Sequence, residues 1–438
     1  MANPSTRVYV TTDMDPSQFS YFTLDDPVQG LLDGDPAYGL AGPSLYDVSQ
    51  FLVSVSINRG KSRELDRFTA GQASITFNND NRWFDPFYVE SPYYEKIVPR
   101  KLVVIETNGI RQFTGYIDDI DFTYQLGTKS FAIIKCVDPF LQLSSTQLSE
   151  FTTTAQYSGE RVTAILNRPE VNWPLTDRDL DTGAQLFGDD TIPENTNALQ
   201  YLQTIESSEP GAVFIAKNGY VTFKDRINVP PLVDTIIFAL DGRAEAVPFS
   251  EVEVIYGSEL LYNRIIITRV DGTNPQVAED TDSQTAYGIQ TLSQDGLLIA
   301  DDSAALSLAE YLIGLYAEPE LRFSLVGVTL QDKSSSDQNE VLDLEINDIV
   351  KIVYTPNNVG APIIQNALIT GIKHDIGISY HKVAFEFGRA TSIPFLLDDA
   401  EYGRLSGTIP AYDDSTIDYD SSDIKYDGTY YEFSKLAF

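Results

Sequence analysis

The sequence predicts a mainly β fold with inserted helices, an α+β protein with two related antiparallel β-barrels and a small α/β insertion between them. Three observations support this fold class. Most apolar runs alternate with polar residues, as half-buried strands do, and only three segments show helical spacing. One short motif also occurs twice, each time after an apolar strand. A chain of 438 residues is too long for one hydrophobic core, so several domains are expected.

The N-terminal part of the chain predicts an irregular arm followed by the first barrel. Residues 1–50 are rich in Gly, Pro and Asp, which favours an arm without regular structure. Residues 51–143 contain short alternating runs separated by turn residues, which is typical of an antiparallel barrel or sandwich. The strands predicted here cover residues 51–57, 73–77, 101–106, 113–122 and 129–137.

The middle of the chain predicts a helix-hairpin insertion over residues 144–230. Val162 and Leu166 recur at helical spacing, and a second helix fits residues 196–207. Two alternating strands then flank Asn218-Gly219, a pair that tolerates the positive φ angles of a tight hairpin turn. The insertion is therefore expected to combine helices with one β-hairpin.

Residues 231–395 predict the second barrel, which contains one helix. The helix is expected from about Asp302 to Tyr316, with its apolar side chains on one face. It ends before Pro319, because a proline disfavours helical geometry in the residue that precedes it. The strands predicted around this helix cover residues 250–257, 261–270, 321–330, 348–355, 366–376 and 380–388.

The motif TGxxxDI links the two predicted barrels. It occurs at Thr114–Ile120 and again at Thr370–Ile376. Each copy follows an apolar strand that ends in a threonine, Thr107 or Thr355, and each precedes a polar turn and another alternating strand. Because the context is repeated together with the motif, we interpret the two barrels as related.

Residues 396–438 predict an extended C-terminal arm with a Tyr-Asp heptad repeat. Its large side chains are separated by steps of five and two residues, whereas a coiled coil needs steps of three and four. Residues two positions apart share one face of an extended chain, which can add to a sheet edge of another protein. The interface candidates of this arm are Tyr412, Ile417, Tyr419, Ile424, Tyr426, Tyr431 and Phe433.

The charge of the chain argues against a general nucleic-acid binder. The 64 Asp and Glu outnumber the 30 Lys and Arg, which gives a formal net charge of -34. Polyanionic DNA binds through lysine and arginine side chains, so this chain would repel it. An acidic surface can serve solubility alone, and it can also let DNA pass close by without binding.

Positive charge is nevertheless concentrated in the segment SINRGKSRELDR at residues 56–67. Its basic residues are Arg59, Lys61, Arg63 and Arg67, in a predicted connection between two strands with its charges free to face outward. Three interpretations fit this segment: a solvated loop, a contact with nucleic acid, and a complementary contact with an acidic neighbouring subunit. We treat the four residues as candidates for an interface between subunits.

No motif of a catalytic, metal or cofactor site emerges, so no enzymatic activity and no cofactor are expected. His374 and His381 lie in successive predicted strands and could approach one another, but no acidic or cysteine ligand follows at metal-site spacing. Residues 177–183 resemble the start of a calcium loop, but Gly183 comes one position late and Gly188 stands at the twelfth position, where a ligand Glu belongs. The single Cys136 excludes an internal disulfide, and no apolar run is long enough to span a membrane.

The segment SVSINRGKSRELDRFTAGQASITFNNDNRWFDP at residues 54–86 closely resembles a signature of minor tail proteins of long-tailed bacteriophages. In that family an RGR-like turn leads through a small Ala-Gly pair to a strand and an Asn/Asp-rich segment that ends in FDP. The terminal YDDSTIDYDSSDIKYDG also resembles a repeat near the ends of such proteins. Further similar segments lie at residues 113–121, 136–143, 198–226, 262–269 and 282–288.

The resemblance implies a tail-tip hub similar to the baseplate hubs of other tailed phages. Such hubs are homotrimers in which two tube-like barrels per chain form a pseudo-sixfold ring. This ring adapts a sixfold tail tube to a threefold tip and lets genomic DNA pass without tight binding. The implied location is the tail tip of the virion, after assembly in the host cytoplasm and without stable membrane insertion.

The resemblance also implies the partners of the chain. They are further copies of itself, a distal tail ring, the tail tube or tape measure, and a tip fibre. In such an assembly, each subunit is strongly acidic and needs local positive contacts. The four basic residues of the segment at 56–67 would then meet carboxylates of an adjoining subunit or ring.

Two alternatives to a hub stay open from the sequence. One is a distal tail ring protein. The other is a carbohydrate- or receptor-binding tail protein, in which an exposed Trp83 and the terminal tyrosines would form platforms for sugar rings. Trp83 lies within the segment RWFDPF, where a large apolar side chain more often anchors a loop in the core.

Overall fold

The computed structural model of the protein describes residues 3–11, 45–125, 129–227 and 236–390. The predicted C-terminal arm, with its candidates from Tyr412 to Phe433, lies outside the described residues, and so does most of the predicted N-terminal arm. The described residues up to Arg389 belong to one compact unit. They are mainly β-strands with inserted helices, which confirms the predicted fold class.

The strands at the start of the described chain are β1 (Thr6–Thr11), β2 (Leu45–Asp47), β3 (Leu52–Gly60), β4 (Thr69–Asn78), β5 (Leu102–Thr107), β6 (Ile110–Gln125) and β7 (Lys129–Val137). The strands from β3 to β7 follow the predicted alternation, but β1 and β2 lie in the segment predicted as an irregular arm. That prediction is wrong for these residues, because β1 pairs with β2 and β5 and buries Val8 and Val10 in a core. The tight turn between β5 and β6 consists of Asn108 and Gly109, which have φ angles of 53° and 80°. Asn and Gly tolerate this left-handed geometry, so the turn matches its sequence.

The insertion combines three helices with short strands. Its elements are α1 (Phe140–Ser145), β8 (Gln147–Leu148), β9 (Phe151–Thr153), β10 (Gln156–Tyr157), α2 (Ser158–Leu166), β11 (Arg178–Leu180), β12 (Leu186–Phe187), β13 (Asp190–Ile192), β14 (Thr196–Asn197), α3 (Ala198–Ser208), β15 (Ala212–Ile215) and β16 (Val221–Lys224). Both predicted helices are present as α2 and α3. The predicted hairpin is β15 paired with β16, and Gly219 at its turn has φ 92°.

The rest of the described chain contains the remaining strands and three helices. They are β17 (Ile237–Ala239), β18 (Ala246–Val247), β19 (Glu251–Tyr256), β20 (Arg264–Arg269), β21 (Gln276–Glu279), α4 (Thr281–Tyr287), β22 (Thr291–Leu297), α5 (Asp302–Tyr316), β23 (Leu321–Thr329), α6 (Ser335–Asp343), β24 (Ile349–Tyr354), β25 (Ile363–Gly377) and β26 (His381–Arg389). The helix α5 has the predicted bounds. Its N-cap is Asp301, whose side chain accepts the Ala304 N–H at 2.8 Å.

Fourteen of the described strands form one large sheet. Its longest path runs β18-β17-β24-β25-β3-β4-β7-β6-β5-β1-β2, and β26, β23 and β19 continue from β25. Strands from both predicted barrels therefore share one hydrogen-bonded sheet. Closure of either group into a tube-like barrel stays a prediction, as do the predicted domain boundaries.

A separate three-stranded sheet contains β20, β21 and β22 and packs against α5. Ile265 and Ile267 of β20 lie in one core with Leu308 and Leu312 of α5. The strand predicted at residues 261–270 is thus present as β20 but does not join the large sheet. Alternation indicates a strand and its buried face, but it carries no information about which strand pairs with it.

Two further hydrophobic cores lie against the large sheet. One core consists mainly of side chains from β3 to β7, such as Ile75 and Phe77, and the other joins the insertion to β23, β24, β25 and β26. Cys136 lies in the first of them, where burial raises the pKa of its thiol, so it is the small buried side chain that its sequence indicated. None of the described helices combines the length and the apolar character that a membrane span requires.

Candidate functional site

One arrangement of five strands occurs twice in the large sheet. The first module consists of β3, β4, β7, β6 and β5, hydrogen-bonded in that order, and the second module consists of β19, β23, β26, β25 and β24. All neighbouring pairs in both modules are antiparallel. The chain also visits the strands of each module in the same sequence. The two modules are therefore a structural repeat.

A bulge in the longest strand of each module defines how the repeats correspond. The register between β6 and β7 shifts between Ile117 and Asp119. The register between β25 and β26 shifts in the same way between Ile369 and Gly371. Each shift coincides with the point at which the long strand leaves its preceding strand, β5 or β24. Asp119 of the first module thus corresponds to Gly371 of the second.

The residues just before these bulges are held in the same way. Arg100 donates its N–H to the Ile117 carbonyl at 2.7 Å, and Asn347 donates its N–H to the Ile369 carbonyl at 2.8 Å. Both donors have positive φ angles, 70° for Arg100 and 76° for Asn347. The TGxxxDI motif would instead align Ile117 with Lys373. It indicated the right pair of strands, but its register is wrong by four residues.

A strand junction connects the two modules within the chain. Beyond its bulge, β25 pairs antiparallel with β3, from Gly371 opposite Gly60 to Gly377 opposite Ser54. Gly60 has φ 95°, and a Cβ at this position would lie 2.2 Å from the Thr370 carbonyl oxygen. Only glycine therefore allows β3 to approach β25 this closely.

The buried side chain of Arg59 lies at the centre of this junction. It is 4% exposed and forms an ion pair with Glu345, which follows α6. It also donates to the carbonyls of Gln112 and Ile215, each at 3.4 Å. Glu345 accepts the Lys217 N–H at 2.7 Å. Arg59 thus connects the first module to the insertion and to the second module.

A second carboxyl group, that of Asp138, is buried beside Arg59. Asp138 accepts the N–H groups of Gly71 at 2.6 Å and Phe140 at 2.9 Å. Burial raises the pKa of Asp138 to about 7, although these two N–H groups and the Arg59 charge act in the opposite direction. The carboxyl group therefore fixes the end of β7 against β4.

Lys61 forms a second contact between the basic segment and the insertion. Its ammonium group lies 3.5 Å from Glu206 of α3 and 4.5 Å from the ring centroid of Phe68. Burial raises the pKa of Glu206 to about 7, and the Lys61 charge opposes this shift. A lysine in this position offsets part of the cost of burying the carboxylate.

The other two basic candidates are exposed. The side chain of Arg63 is 71% exposed and its guanidinium lies 3.4 Å from Glu259, and Arg67 is also exposed. The expectation of outward-facing charges is therefore correct for these two residues. It is wrong for Arg59 and Lys61, because their side chains are only 4% and 11% exposed and are directed into the chain. Contact of the four basic residues with an adjoining subunit stays a prediction.

The edges of β6 and β19 are equivalent, in the repeat, to the edges of β25 and β3 that pair in the internal junction. In the repeat, β6 corresponds to β25, and β19 corresponds to β3. Among the described strands, β6 pairs only with β7 after its bulge, and β19 pairs only with β23. Each therefore leaves one edge without a strand partner in the described part of the chain.

One face of the large sheet carries acidic side chains near both of these edges. Asp119 and Asp121 are exposed on β6, and Glu251 and Glu253 are exposed on β19. Cross-strand neighbours share a face, and the ladder from β6 to β19 through β3 and β25 places all four on the same face. Lysines on the same face, among them Lys135, Lys373 and Lys382, offset part of this charge, and Lys135 lies 2.6 Å from Asp121.

The two histidines approach one another, as predicted. His374 Nδ1 and His381 Nε2 are 3.0 Å apart, and both rings are buried. Burial lowers the pKa of both imidazoles, that of His381 to about 4. In the described ranges, no three histidine, cysteine or carboxylate side chains lie close enough together to hold a metal ion. The pair is therefore a neutral hydrogen-bonded contact inside the second module.

Trp83 does not form an exposed platform. Its ring packs edge-on against Phe51, with ring centroids 5.0 Å apart, and it lies against the core of the first module.

The carboxylates of the segment that resembles a calcium loop contact a lysine, since Lys224 lies 3.1 Å from Asp179 and 3.5 Å from Asp181.

Sequence reasoning missed the acidic partners of the basic segment. Glu345 is 286 residues from Arg59 along the chain, and Glu206 is 145 residues from Lys61. Contacts over such distances leave no spacing pattern in one sequence. The strand junction was missed for the same reason.

No protein-family model matches the chain, and no curated protein sequence matches it. Among solved structures, the tail protein from Neisseria meningitidis MC58 is similar, with a TM-score of 0.55 and 9% identity over 80% of this chain and 94% of that chain. The 43 kDa tail protein of prophage MuSo2 from Shewanella oneidensis has a TM-score of 0.54 and 12% identity, over 88% of this chain and 98% of that chain. The chain has the fold of these phage tail proteins, as the sequence resemblance predicted.

Proposed function

We propose that the chain is a structural hub protein of a bacteriophage tail tip, in which three copies form a ring around the path of the DNA. The observation that carries this proposal is the repetition of one five-strand module within the chain. Three copies with two modules each present six similar units, which suits contact with a sixfold tube while the ring itself has threefold symmetry. The fold shared with two phage tail proteins supports a place in the virion tail.

The charge distribution supports a wall along which DNA moves. Asp119, Asp121, Glu251 and Glu253 lie on one face of the sheet that both modules share, and lysines on the same face offset part of their charge. The formal net charge of -34 nevertheless repels phosphate groups, so DNA passes without being bound. The proposed role is structural and uses no catalytic group.

The proposed partners are neighbouring tail components, namely a distal tail ring, the tail tube or tape measure, and a tip fibre. The C-terminal candidates from Tyr412 to Phe433 belong to this proposal as an arm that adds to a sheet edge of a neighbour. The carbohydrate-binding alternative has no support from Trp83, because its ring packs into the core.

The copy number of the protein in purified tails tests the ring. We expect three copies per tail, measured by quantitative mass spectrometry with isotope-labelled peptides and normalised to the tail tube protein. Six copies would assign the chain to a neighbouring sixfold ring, which is the distal-ring alternative. A number that is not a multiple of three would overturn the ring altogether.

Reversal of one exposed charge tests whether the basic segment contributes to assembly. Arg63→Glu should change the free energy of unfolding by no more than about 1 kcal/mol, since exposed ion pairs contribute about 0–1 kcal/mol. Incorporation into tails should fall at least several-fold, because the new carboxylate would face an acidic neighbour. The matched control is Arg7→Glu, another exposed arginine, 3.9 Å from Asp47. Equal incorporation of both variants would remove Arg63 from the interface.

A further inference from the structure

The internal junction shows which strand edges of the repeat fit together. Beyond its bulge, β25 of the second module accepts β3 of the first module along seven residue pairs, from Gly371–Gly60 to Gly377–Ser54. In the repeat, β6 of the first module corresponds to β25, and β19 of the second module corresponds to β3. The free edges of β6 and β19 are therefore equivalent to the two edges that pair in the internal junction. Neither has a strand partner on that side within the described chain.

We infer that the edge of β6 after its bulge pairs antiparallel with β19 of a second copy of this chain. This inference rests on the proposed ring and names the surface that closes it. The edges of β6 and β19 are different surfaces, so the contact between copies is head-to-tail. Such a contact gives a closed ring when a whole number of copies completes one full rotation. Around such a ring, one junction inside each chain alternates with one junction between chains.

Cross-strand rows define which residues correspond. One row of the first module contains Ser56, Ser74, Lys135 and Asp119. The corresponding row of the second module contains Glu253, Leu325, Glu386 and Gly371. Both rows begin at the first residue after the bulge, so Glu253 occupies the position in β19 that Ser56 occupies in β3.

The same correspondence predicts the register between copies. In the internal junction, Ser56 faces Asp375, which lies four residues beyond Gly371. Four residues beyond Asp119 lies Thr123. Thr123 of one copy therefore faces Glu253 of the next copy, and the neighbouring pairs are Tyr124 with Val252 and Gln125 with Glu251.

The side chains in this register are compatible. Glu253 and Glu251 face the neutral, hydrogen-bonding side chains of Thr123 and Gln125, so no like charges stand directly opposite. Asp121 lies diagonal to Glu253, and Lys135, 2.6 Å from Asp121, offsets this charge. On the other face, Tyr124 is 50% exposed and stacks on Phe122, with ring centroids 6.4 Å apart. In the pair, the Tyr124 ring would cover Val252, and aromatic with β-branched side chains is a stabilising cross-strand combination.

Uncovered strand edges also need an explanation of their own. An unpaired edge presents free N–H and C=O groups and is a template for pairing with another chain, so proteins normally cover or shorten it. The edge of β6 after its bulge extends to Gln125, at the end of the strand. A second copy that supplies β19 would satisfy these groups.

A disulfide between two copies tests the pairing in tails assembled from the full chain. Cells that produce the tails would express the chain with Thr123→Cys together with the chain with Glu253→Cys. The natural thiol, Cys136, is buried and does not interfere. After mild oxidation we expect disulfide-linked dimers only when both variants are present, and neither variant alone should give them.

The expected geometry favours this disulfide. Gly377 donates its N–H to the Tyr380 carbonyl at 2.8 Å, so the backbone N–H and C=O groups of Gly377 face β26. Because these groups alternate in direction along a strand, those of Asp375 face β26 as well. Asp375 and Ser56 are therefore a non-hydrogen-bonded pair, with Cα atoms about 4.5 Å apart, within the range of a disulfide. The double variant Ser56→Cys with Asp375→Cys is the positive control and should oxidise within one chain.

The matched negative control replaces Glu253→Cys by Glu279→Cys, another exposed glutamate on a strand. If a cysteine variant does not assemble, Gln125→Cys with Glu251→Cys tests the neighbouring pair. The inference would be overturned if the tails contain three copies of the chain and the internal control oxidises, but neither cysteine pair between copies gives dimers. This outcome would leave the proposed function intact. Tails whose copy number is not a multiple of three would overturn both.

Discussion

Replacement of Arg59 by methionine should destabilise the protein by about 3 kcal/mol, at the low end of the roughly 3–5 kcal/mol for breaking a buried ion pair. The loss arises because the mostly buried Glu345 side chain loses its ion-pair partner. The side chain of Glu345 is 19% exposed and retains the Lys217 N–H, which limits the cost. Methionine fills a similar volume, so the variant removes charge with little loss of packing.

The midpoint of urea unfolding, followed by tryptophan fluorescence, measures this effect. Trp83 lies in the first module and Trp173 in the insertion, so the signal reports on both parts. Arg63→Met is the matched control and should change the free energy of unfolding by about 0–1 kcal/mol, since its side chain is 71% exposed. The double variant Arg59→Met with Glu345→Gln should recover part of the loss. Equal midpoints for Arg59→Met and Arg63→Met would contradict the buried junction.

Replacement of Gly60 by alanine should destabilise the protein by more than about 2 kcal/mol, through backbone strain and a collision. Gly60 has φ 95°, and the new Cβ would lie 2.2 Å from the Thr370 carbonyl oxygen and 2.7 Å from Gly371 Cα. Both neighbours are backbone atoms, so relief requires β3 to move away from β25. We therefore expect faster amide hydrogen exchange at residues 371–377 together with a lower unfolding midpoint.

Gly257→Ala is the matched control for this variant. Gly257 follows β19 as Gly60 ends β3, but a Cβ there has open space and its φ is not positive. Its free energy of unfolding should change by no more than about 0.5 kcal/mol. If Gly60→Ala were as stable as Gly257→Ala and kept slow exchange in β25, the close approach of the two strands would be refuted.

Local patterns in the sequence predicted most of the elements. The helices α2, α3 and α5 and the hairpin around Asn218-Gly219 follow from spacing and turn chemistry. The helices α1 and α4 are only 6 and 7 residues long, too short for a clear period. The helix α6 was missed because it is mostly polar and buries only Gln338, Val341 and Leu342.

The repeat was visible in the sequence, but its geometry was not. The TGxxxDI motif lies on the two longest strands of the modules, β6 and β25. The bulges align these strands in a register that differs by four residues from the alignment of the two motif copies. Residue identities within seven positions cannot show where a strand changes partners. Backbone hydrogen bonds and the bulge determine that point.

The candidate site was predictable only in part. The concentration of basic residues indicated the segment at 56–67, which does contribute Arg59 and Lys61 to the junction. However, β3 pairs with a strand more than 300 residues further on, and Arg59 meets its carboxylate 286 residues away. No local pattern in one sequence records such pairings, so burial of Arg59 and Lys61 could not be inferred from charge alone.

The chain repeats one module, and we propose that three copies arrange six such modules around a channel. An averaged electron micrograph of isolated tail tips, viewed along the tail axis, tests this arrangement. We predict a ring of six similar lobes with threefold symmetry around a central opening, with antibody fragments against this chain bound at three equivalent positions. A tip in which this chain occupies a single peripheral position, or a ring without threefold symmetry, would contradict the proposed arrangement.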